Sequence, residues 1–353
     1  MEIREVSERD GAAVAALFLE NSLEAGTGFV LDRTPDFSAL LRLRGEFRTF
    51  GVWHRGRLIG SASALWDMRR VGGDTSCVGE VVDLRVSAAS RGGPAARLLL
   101  EAVRKTLTGV GASRVVCLIG DGNDAARRLV AGKGGLPELD PLTRYVSVHY
   151  VPWGAGRSRE GTVRPAGDLD VEQVMFVYAK AREGMELLPC EVPTWPDRAG
   201  RHRAWLATTP DGRVIGGLVV WDGQELRRIR VTRYRGWDRA LRAATSLAAR
   251  VGQATALPAP GGALRTWASR AFWTDPNRPA VVRALMREAL REAARSGVHV
   301  LQINLHSESP LLELLPAFPR STYRSTLYGM TMKSGAHRPL DPQMPASYDL
   351  ALV

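Results

Sequence analysis

The sequence predicts an α/β protein made of two copies of one unit. Each unit is a mixed, mostly antiparallel sheet with a central splayed pair of parallel strands, flanked by helices. Two observations predict this fold. Segments of the first half of the 353-residue chain recur in the second half in the same order. In each copy a strand is followed by an amphipathic helix and then by a buried apolar strand. This order is typical of two parallel strands that are connected by a crossover helix.

The internal repeat sets the domain boundaries. The run "GRLIGSASALW" (Gly56–Trp66) returns as "GRVIGGLVVW" (Gly212–Trp221), and the segment from Arg97 aligns with that from Arg283 at a constant offset of 186 (283 − 97). The first pair is offset by only 156 (212 − 56), so the second copy carries additional residues between these two matches. We predict an N-terminal domain over 1–152, a linker over 153–162, a C-terminal domain over 163–335 with an insertion around 222–263, and a tail over 336–353.

Both copies show the same order of elements. A helix follows a short N-terminal strand, then come two antiparallel strands, a strand that enters a long amphipathic helix, a buried apolar strand, a short helix and a closing strand. The main elements of the first copy are predicted over 11–24, 50–54, 57–66, 81–86, 94–108, 113–119 and 145–151. Their counterparts in the second copy are predicted over 171–183, 204–208, 213–221, 264–273, 280–296, 299–305 and 321–330.

Composition restricts the class of protein. The net charge of +11 favours anionic ligands, but no nucleic-acid-binding motif accompanies it, so we expect a solvated arginine-rich surface and no nucleic-acid partner. Apolar runs such as Ala12–Leu19 are too short to span a bilayer, and the start "MEIREVSERD" lacks the pattern of a signal peptide. We therefore expect no membrane and a cytoplasmic location. Three widely spaced cysteines, and six histidines without ligand spacing, predict neither disulfides nor a metal site.

The turn after the strand that ends at Val86 is the most informative stretch. Residues 90–94, Ser-Arg-Gly-Gly-Pro, place two glycines and a proline directly before an apolar-periodic helix. This composition is common in tight strand-to-helix turns. It also suits a backbone that approaches an anion, because glycine has no Cβ to block the approach and a helix N-terminus offers free N–H groups and a positive dipole end.

With these residues the chain resembles the GNAT superfamily of acyl-CoA-dependent N-acyltransferases. The signature V-x-x-x-x-[RQ]-x-x-G-x-[GA] matches the run from Val86 through Arg91 to Ala96, except at Pro94, where the family usually has glycine. Proline at a helix start removes one N–H donor that could reach a diphosphate. The resemblance covers both copies, and tandem GNAT proteins of the mycothiol-synthase kind share the arrangement.

A second motif follows the buried strand of the first copy. The segment "GDGNDAARRLVAGKGGL" resembles the superfamily's N-x-x-A-x-x-[LF]-Y-x-[KR]-x-G-F. Its matching positions are Asn123, Ala126, Leu129 and Gly134 or Gly135. Val130 stands where the family usually has its catalytic tyrosine, so the motif leaves the general acid open.

The resemblance implies a set of cofactor-binding residues. The pantetheine of acyl-CoA would lie as a pseudo-strand between the splayed parallel strands, with its diphosphate at the N-terminus of the helix after the turn. The implied acyl-CoA-binding residues are Leu84, Arg85, Val86, Arg91, Gly92, Gly93, Ala95, Ala96 and Asn123. A backbone N–H in the strand over 84–86 is the implied donor to the oxyanion.

Acyl transfer to an amine requires a neutral amine and a proton for the leaving thiolate. Glu80, six residues before Val86, sits where many superfamily members hold their general base; the alternative is a strand-end carboxylate paired with an arginine. Tyr145 is the candidate proton donor, with His149 on the same strand as a second candidate, and core or rim roles stay open for both. By strand alternation Asp83 faces the opposite side from Glu80, which favours a salt bridge.

The two copies differ at the turn. At offset 186, Arg91, Gly92, Gly93 and Ala96 stand opposite Asn277, Arg278, Pro279 and Val282, and Glu80 stands opposite Thr266. The second copy has no glycine at the turn and has a branched residue where the family has a small one. We therefore predict that the first copy binds acyl-CoA and that the second is degenerate.

The insertion contains a basic strand and a helix. Its apolar residues at helical spacing are Trp237, Leu241, Ala244, Leu247 and Ala248. This stripe predicts a helix packed on the sheet. The alternative is a lid over an acidic acceptor, faced by Arg228, Arg230, Arg233 and Arg235.

The function predicted from these features is transfer of an acyl group from acetyl-CoA, or another acyl-CoA, to an amine of a small molecule or peptide by direct attack on the thioester. The alternative is a non-catalytic acyl-CoA-binding sensor or scaffold, which Pro94 and Val130 keep open. The sequence does not predict the oligomeric state, although the two units could form an internal pseudo-dimer within a monomer.

Overall fold

The computed structural model describes residues 1–21, 23–25, 27–133, 137–153, 163–190, 201–317, 320–332 and 339–352. Apart from Trp153, the predicted linker lies outside the described residues. Gly134 and Gly135 of the second motif, and positions 336–338 and 353 of the predicted tail, also lie outside them.

The first half of the chain has four helices among its described residues. They are α1 (Gly11–Glu20), α2 (Ala39–Arg42), α3 (Ala95–Gly109) and α4 (Asp124–Val130). Its strands are β1 (Glu2–Glu5), β2 (Leu23–Ala25), β3 (Thr27–Asp32), β4 (Glu46–His54), β5 (Arg57–Val71), β6 (Asp74–Val86), β7 (Arg114–Gly120) and β8 (Asp140–Tyr150).

The second half repeats this order with additions. Its described helices are α5 (Val171–Ala181), α6 (Gly236–Ala249), α7 (Pro279–Arg295) and α8 (Leu311–Leu314). Its strands are β9 (Val163–Pro165), β10 (Leu188–Pro189), β11 (His202–Thr208), β12 (Val214–Asp222), β13 (Arg228–Arg233), β14 (Ala263–Leu264), β15 (Thr266–Thr274), β16 (Val300–His306) and β17 (Arg320–Thr331). Short 3-10 turns cover 8–10, 88–90 and 350–352.

One mixed sheet runs through both halves. Among the described strands its order is β1-β4-β5-β6-β7-β17-β8-β16-β15-β12-β11-β9, with β10 beside β5. The described parallel pairs are β6 with β7 and β15 with β16. This arrangement confirms the predicted α/β class with a mixed sheet and a central parallel pair in each unit.

The closing strands of the two units are exchanged. β17, from the second half, lies between β7 and β8 of the first half, with Ser325 opposite Gly120 and opposite Tyr145. β8 in turn pairs with β16, where Tyr145 lies opposite His306. Each unit therefore completes its sheet with a strand of the other unit.

A second, smaller sheet has the order β14-β13-β3-β2. Here β13 from the insertion pairs with β3 of the first half, and Arg230 lies opposite Val30. The insertion thus does not form a separate subdomain. It covers one face of the first unit.

Helix α3 packs on the main sheet through the apolar face that the sequence predicts. Leu99, Val103 and Leu107 of α3 are fully buried against strands β4 to β7. The helix predicted over 11–24 ends at Glu20, however, because the Asn21 backbone is not helical. The side-chain amide of Asn21 donates to the Leu17 carbonyl at 2.8 Å and ends the helix, and β2 begins at Leu23.

Candidate active site

The two central strands of the first unit separate part of the way along their length. β6 and β7 pair from Val78 with Arg114 to Glu80 with Val116. Beyond this point β6 continues to Val86 and β7 to Gly120, and no described pairing joins them. The separation leaves backbone N–H and C=O groups on both strands directed at a cleft, and such groups require partners.

A β-bulge lies on β6 within this cleft. The register with β5 shifts between Ser61 and Ser63, and Asp83 has a positive φ of 58°. A non-glycine residue in the left-handed region is uncommon, and such residues cluster at functional sites. The Asp83 carboxylate accepts two hydrogen bonds from the Arg33 guanidinium, one of them at 2.9 Å from Nη2. The predicted salt bridge of Asp83 is present.

A cavity of about 720 Å³ passes through the cleft. On the side covered by α3 and α4 its wall is apolar, and the wall residues include Leu107, Val115, Cys117, Val130 and Met330. On the opposite side of the main sheet the cavity continues under the small sheet and α6. Its two branches therefore meet at the cleft between β6 and β7.

The second branch combines an apolar roof with a polar floor. The roof residues include Phe29, Leu31, Ile229, Trp237 and Leu241. The floor is formed by side chains of β8, β16 and β17, which include Ser147, His149, Gln302, Ser321 and Tyr323. Burial lowers the pKa of His149 to about 4, so this imidazole is neutral at pH 7.

Tyr323 approaches the end of β7 closely. A Cβ at position 120 would lie 1.5 Å from the Tyr323 hydroxyl oxygen. Only glycine at position 120 therefore leaves room for the ring, which crosses over from the other half of the chain on β17.

The Gly-rich turn directly follows the cleft. Helix α3 starts at Ala95 with Pro94 as its N-cap, and Gly92 has a φ of 83°, which favours glycine. Arg91 is exposed, and its Nη2 donates to Asn21 Oδ1 at 2.8 Å. The first amides of α3 have no partners within the helix and are directed out of its N-terminus.

The structure distributes the predicted acyl-CoA-binding residues between the cavity and the turn. Leu84, Arg85 and Asn123 line the cavity. The remaining predicted residues, which do not line it, form the end of β6, the turn and the start of α3; they are Val86, Arg91, Gly92, Gly93, Ala95 and Ala96. Asn123 is the N-cap of α4 and accepts a hydrogen bond from the Ala126 N–H at 3.2 Å.

Glu80 lies in a buried ionic network outside the cavity lining. Its side chain is 1% exposed and pairs with Arg44 and Arg69. The Tyr348 hydroxyl donates to it at 3.3 Å. Burial opposes ionisation, but the two arginines outweigh it and hold the pKa of Glu80 below its ordinary value. A carboxylate with a lowered pKa is a weak base, so these contacts favour the ion-pair alternative.

Tyr145 also lies outside the cavity lining. It is buried in a cluster with Val116, Leu187 and Leu350, and its hydroxyl donates to the Ala346 carbonyl. Burial raises its pKa well above the ordinary tyrosine value. These contacts favour the core role. The structure thus brings neither Glu80 nor Tyr145 to the cavity, whereas His149 lines it.

The insertion does not direct its predicted lid arginines at the cavity. The alternative lid residues Arg228, Arg230, Arg233 and Arg235 do not line the cavity, and Arg230 instead pairs with Asp32 at 2.7 Å. The apolar stripe of α6 is only partly packed, since Trp237 and Leu247 are 70% and 65% exposed.

Sequence reasoning missed Arg227, which lines the cavity beside the basic strand. Ile229 of β13 also lines the cavity and Val231 is fully buried, so the odd-numbered positions face inward. Continuing this alternation from Ile229 back to Arg227, one residue before β13 begins, would have identified Arg227 as a cavity residue.

In the second unit a side-chain bridge spans the corresponding cleft. β15 and β16 pair from Thr266 with Val300 to Ala268 with Gln302, and Asn304 bridges the strands directly beyond. Its backbone N–H donates to Ser269 Oγ at 2.8 Å, and its side-chain amide donates to the Ser269 carbonyl at 3.2 Å. These bonds join the two strands at the position where β6 and β7 separate in the first unit.

The described residues contain no cluster of three or more His, Cys, Asp or Glu side chains arranged for a metal ion. Among the described helices, none combines the length and apolar character that a membrane crossing needs.

Comparisons with known proteins agree with this geometry. Residues 18–133, which include the cleft and the turn, match the model of the acetyltransferase (GNAT) family. No curated protein matched the sequence.

Solved structures of N-myristoyltransferase from Saccharomyces cerevisiae resemble the whole chain. One with bound myristoyl-CoA has a TM-score of 0.59 at 12% identity and covers 94% of this chain and 78% of that chain. Another, with myristoyl-CoA and inhibitors, has a TM-score of 0.58 at 13% identity, with 93% and 79% covered. At this identity the likeness shows the fold.

Proposed function

We propose that this chain, whose residues 18–133 match the GNAT family model, is an acyl-CoA-dependent N-acyltransferase. The observation that carries the proposal is the cleft between β6 and β7, which opens onto a cavity on both sides of the sheet. An acyl donor can enter from one side and an amine from the other, so that the two meet at the cleft.

The donor is proposed to lie along β6. The amides of pantetheine can pair with the backbone groups of β6 that β7 leaves free. The diphosphate would then reach the N-terminus of α3, where unpaired N–H groups and the dipole favour an anion. Arg91, exposed on the turn, can add a charge-assisted contact. The bridged cleft of the second unit supports one donor site per chain.

The acyl chain is proposed to occupy the apolar branch under α3 and α4. The sequence favours acetyl, but the walls at Leu107, Cys117, Val130 and Met330 enclose apolar space that an acetyl group would not contact. Apolar surface gains about 25 cal/mol per Å² when it is buried, so each additional methylene of a chain would strengthen binding there. We therefore propose an acyl group longer than acetyl. The name of the N-myristoyltransferase structures, with their bound myristoyl-CoA, agrees with this choice.

The acceptor is proposed to be deprotonated by the electrostatic environment instead of by one strong base. Burial and the like charges of Arg33 and Arg44 lower the pKa of Arg227 to about 10. An ammonium group in the same branch experiences the same burial and the same cations, so its pKa also falls and the neutral amine gains population. Neutral His149 can accept a hydrogen bond from it.

The chemical step then follows directly. The amine nitrogen attacks the thioester carbonyl, an N–C bond forms, and the C–S bond breaks as the tetrahedral intermediate collapses. A backbone N–H of β6 at or directly after the bulge, over residues 84–86, would stabilise the oxyanion. The nitrogen loses its proton, and the coenzyme A thiolate takes one up.

The second candidate function is an acyl-CoA sensor without turnover. Its support is that neither Glu80 nor Tyr145 lines the cavity and that Val130 replaces the family tyrosine. This candidate shares the donor site but not the chemistry.

The test is a calorimetric titration with acyl-CoA thioesters from acetyl to palmitoyl, followed by a thiol-release assay on a panel of amines. We expect binding that tightens with chain length, and thiol release that depends on the amine. The variant C117F, which narrows the apolar branch, should keep acetyl-CoA binding and lose the gain from longer chains. Binding without any amine-dependent release would favour the sensor, and absence of binding would refute both functions.

A further inference from the structure

Arg227 differs from the other arginines at the inner end of the second branch. Arg33 pairs with Asp83, and Arg44 pairs with Glu80. Within the described part of the chain, Arg227 has neither an ion pair nor a side-chain hydrogen bond, and it lines the cavity. A half-buried cation without an ion-pair partner is costly, because desolvation penalises the charge and the attraction of Asp83 offsets that penalty only in part.

The position of Arg227 places its charge near the reacting groups. It lies directly before β13, whose first residue Arg228 is opposite Asp32, next to Arg33. Its backbone N–H donates to the Gly223 carbonyl at 2.9 Å, which fixes the turn that carries it. The charges of Arg33, Asp83 and Arg44 all act on its guanidinium. Because Arg227 directly precedes β13 of the small sheet, which covers the second branch, it lies on the acceptor side of the cleft.

The donor's diphosphate does not account for this cation. The α3 N-terminus and Arg91 form the proposed diphosphate site at the outer end of β6. Arg85 also lines the cavity without an ion pair among the described residues, and the charges of Asp83, Arg33 and Arg91 act on it. It lies on β6 directly before Val86 and the turn, among the implied acyl-CoA-binding residues, so we assign it to the donor side. Arg227 is therefore available to bind the acceptor.

We propose that the acceptor is an amine that also carries a carboxylate, and that Arg227 binds this carboxylate; the proposal rests on the N-acyltransferase function above. One cation without a counter-charge balances one negative charge, and the guanidinium fork matches a carboxylate with two parallel N–H···O bonds. The roof residues Phe29, Leu31 and Ile229 suit an apolar side chain. The chemical class is an α-amino acid with an apolar side chain.

The experiment compares acceptors that differ only in charge. The pairs are leucine with leucinamide, and phenylalanine with phenylalaninamide, each with a long-chain acyl-CoA. The amide is the weaker base and supplies more neutral amine at pH 7, so the chemical step alone favours it. A higher kcat/KM for the acid therefore reports recognition of the carboxylate. We expect the acid to be preferred about tenfold or more, the range of a hydrogen-bonded charge pair.

Variants of Arg227 test whether this residue causes the preference for the acid. Arg227→Met should abolish the preference for the acid and leave acyl-CoA affinity unchanged, and Arg227→Lys should retain part of it. The matched control is Arg228→Met, because Arg228 does not line the cavity, and it should behave like the wild type. A thermal-shift series with the same acids and amides should show stabilisation by the acids alone, lost in Arg227→Met.

The outcomes separate this proposal from the general function. Equal use of acid and amide, a preference that survives in Arg227→Met, or acyl-CoA binding without use of any acid would overturn the carboxylate site while the donor site stands. Absence of acyl-CoA binding would instead refute the N-acyltransferase itself.

Discussion

Replacing Glu80 by glutamine should destabilise the fold more than it changes the chemistry. The carboxylate is 1% exposed between Arg44 and Arg69, whose side chains are 8% and 9% exposed. In E80Q, Arg69 keeps its ion pair with Asp67 at 2.7 Å. Arg44 instead loses the carboxylate of Glu80, its only ion-pair partner among the described residues. Breaking a buried ion pair on one side costs about 3–5 kcal/mol, and the remaining Asp67 places the expected loss near the lower end, at about 3 kcal/mol.

Urea unfolding of the wild type and of E80Q at pH 7 measures this loss. The matched control is E101Q, which removes an exposed pair with Lys105 at 3.6 Å and should cost no more than about 0.5 kcal/mol. Acyl-CoA affinity of E80Q should stay close to that of the wild type at a temperature where both are folded.

The pH dependence has a defined sign. The pKa of Glu80 in the folded protein is below its ordinary value of about 4.5, so its stabilisation is complete above that value. It is lost as the pH falls through the folded pKa. The gap between wild type and E80Q should therefore be constant from about pH 7 to 8, above the pKa of about 6 to which burial raises the neighbouring Asp67, and shrink below about pH 4. An E80Q protein of unchanged stability, with turnover reduced and partly restored at high pH, would refute this reasoning and support Glu80 as the general base.

Three further outcomes follow from the site. Arg91→Glu should weaken acyl-CoA binding by about fivefold or more, roughly 1 kcal/mol at a helix N-terminus, whereas Arg278→Glu should not; equal losses in a titration would contradict the single donor site. Gly120→Ala should displace the partly exposed Tyr323 ring from the floor of the cavity and lower amine-dependent thiol release, since a Cβ would lie 1.5 Å from its hydroxyl oxygen; an unchanged rate would contradict the close approach. Burial raises the pKa of Cys117 to about 12, so its alkylation by iodoacetamide at pH 8 should be far slower in the folded protein than in urea; equal rates would contradict its burial.

Local patterns predicted most of the secondary structure. The strand predicted over 113–119 is observed over Arg114–Gly120, and the helix predicted over 280–296 is observed over Pro279–Arg295. Burial of one face imposes a period on the sequence, and that period can be read without knowing the neighbours. It does not say which strand lies alongside. The exchange of β8 and β17 was therefore beyond sequence reasoning.

The site could be predicted where it depends on the backbone and not where it depends on distant charges. The turn at Gly92 follows from local chain geometry, and the structure has the positive φ that favours glycine there. The environment of Glu80 depends on Arg44, 36 residues away, and on Tyr348, 268 residues away. No local pattern reports such partners. The choice between base and ion pair at this position thus stayed open in the sequence.

Because of the strand exchange, β7 lacks one of its neighbouring strands while the ribosome synthesises the second half of the chain. β7 acquires its neighbour β17 only when Ser325, 205 residues (325 − 120) after Gly120, has been translated. At about 5–20 residues per second, the edge of β7 stays without that neighbour for roughly ten to forty seconds. An uncovered strand edge is a template for pairing with other chains. During this interval the nascent first unit, although it holds the cleft and the turn, is exposed to mispairing until β17 of the second unit arrives.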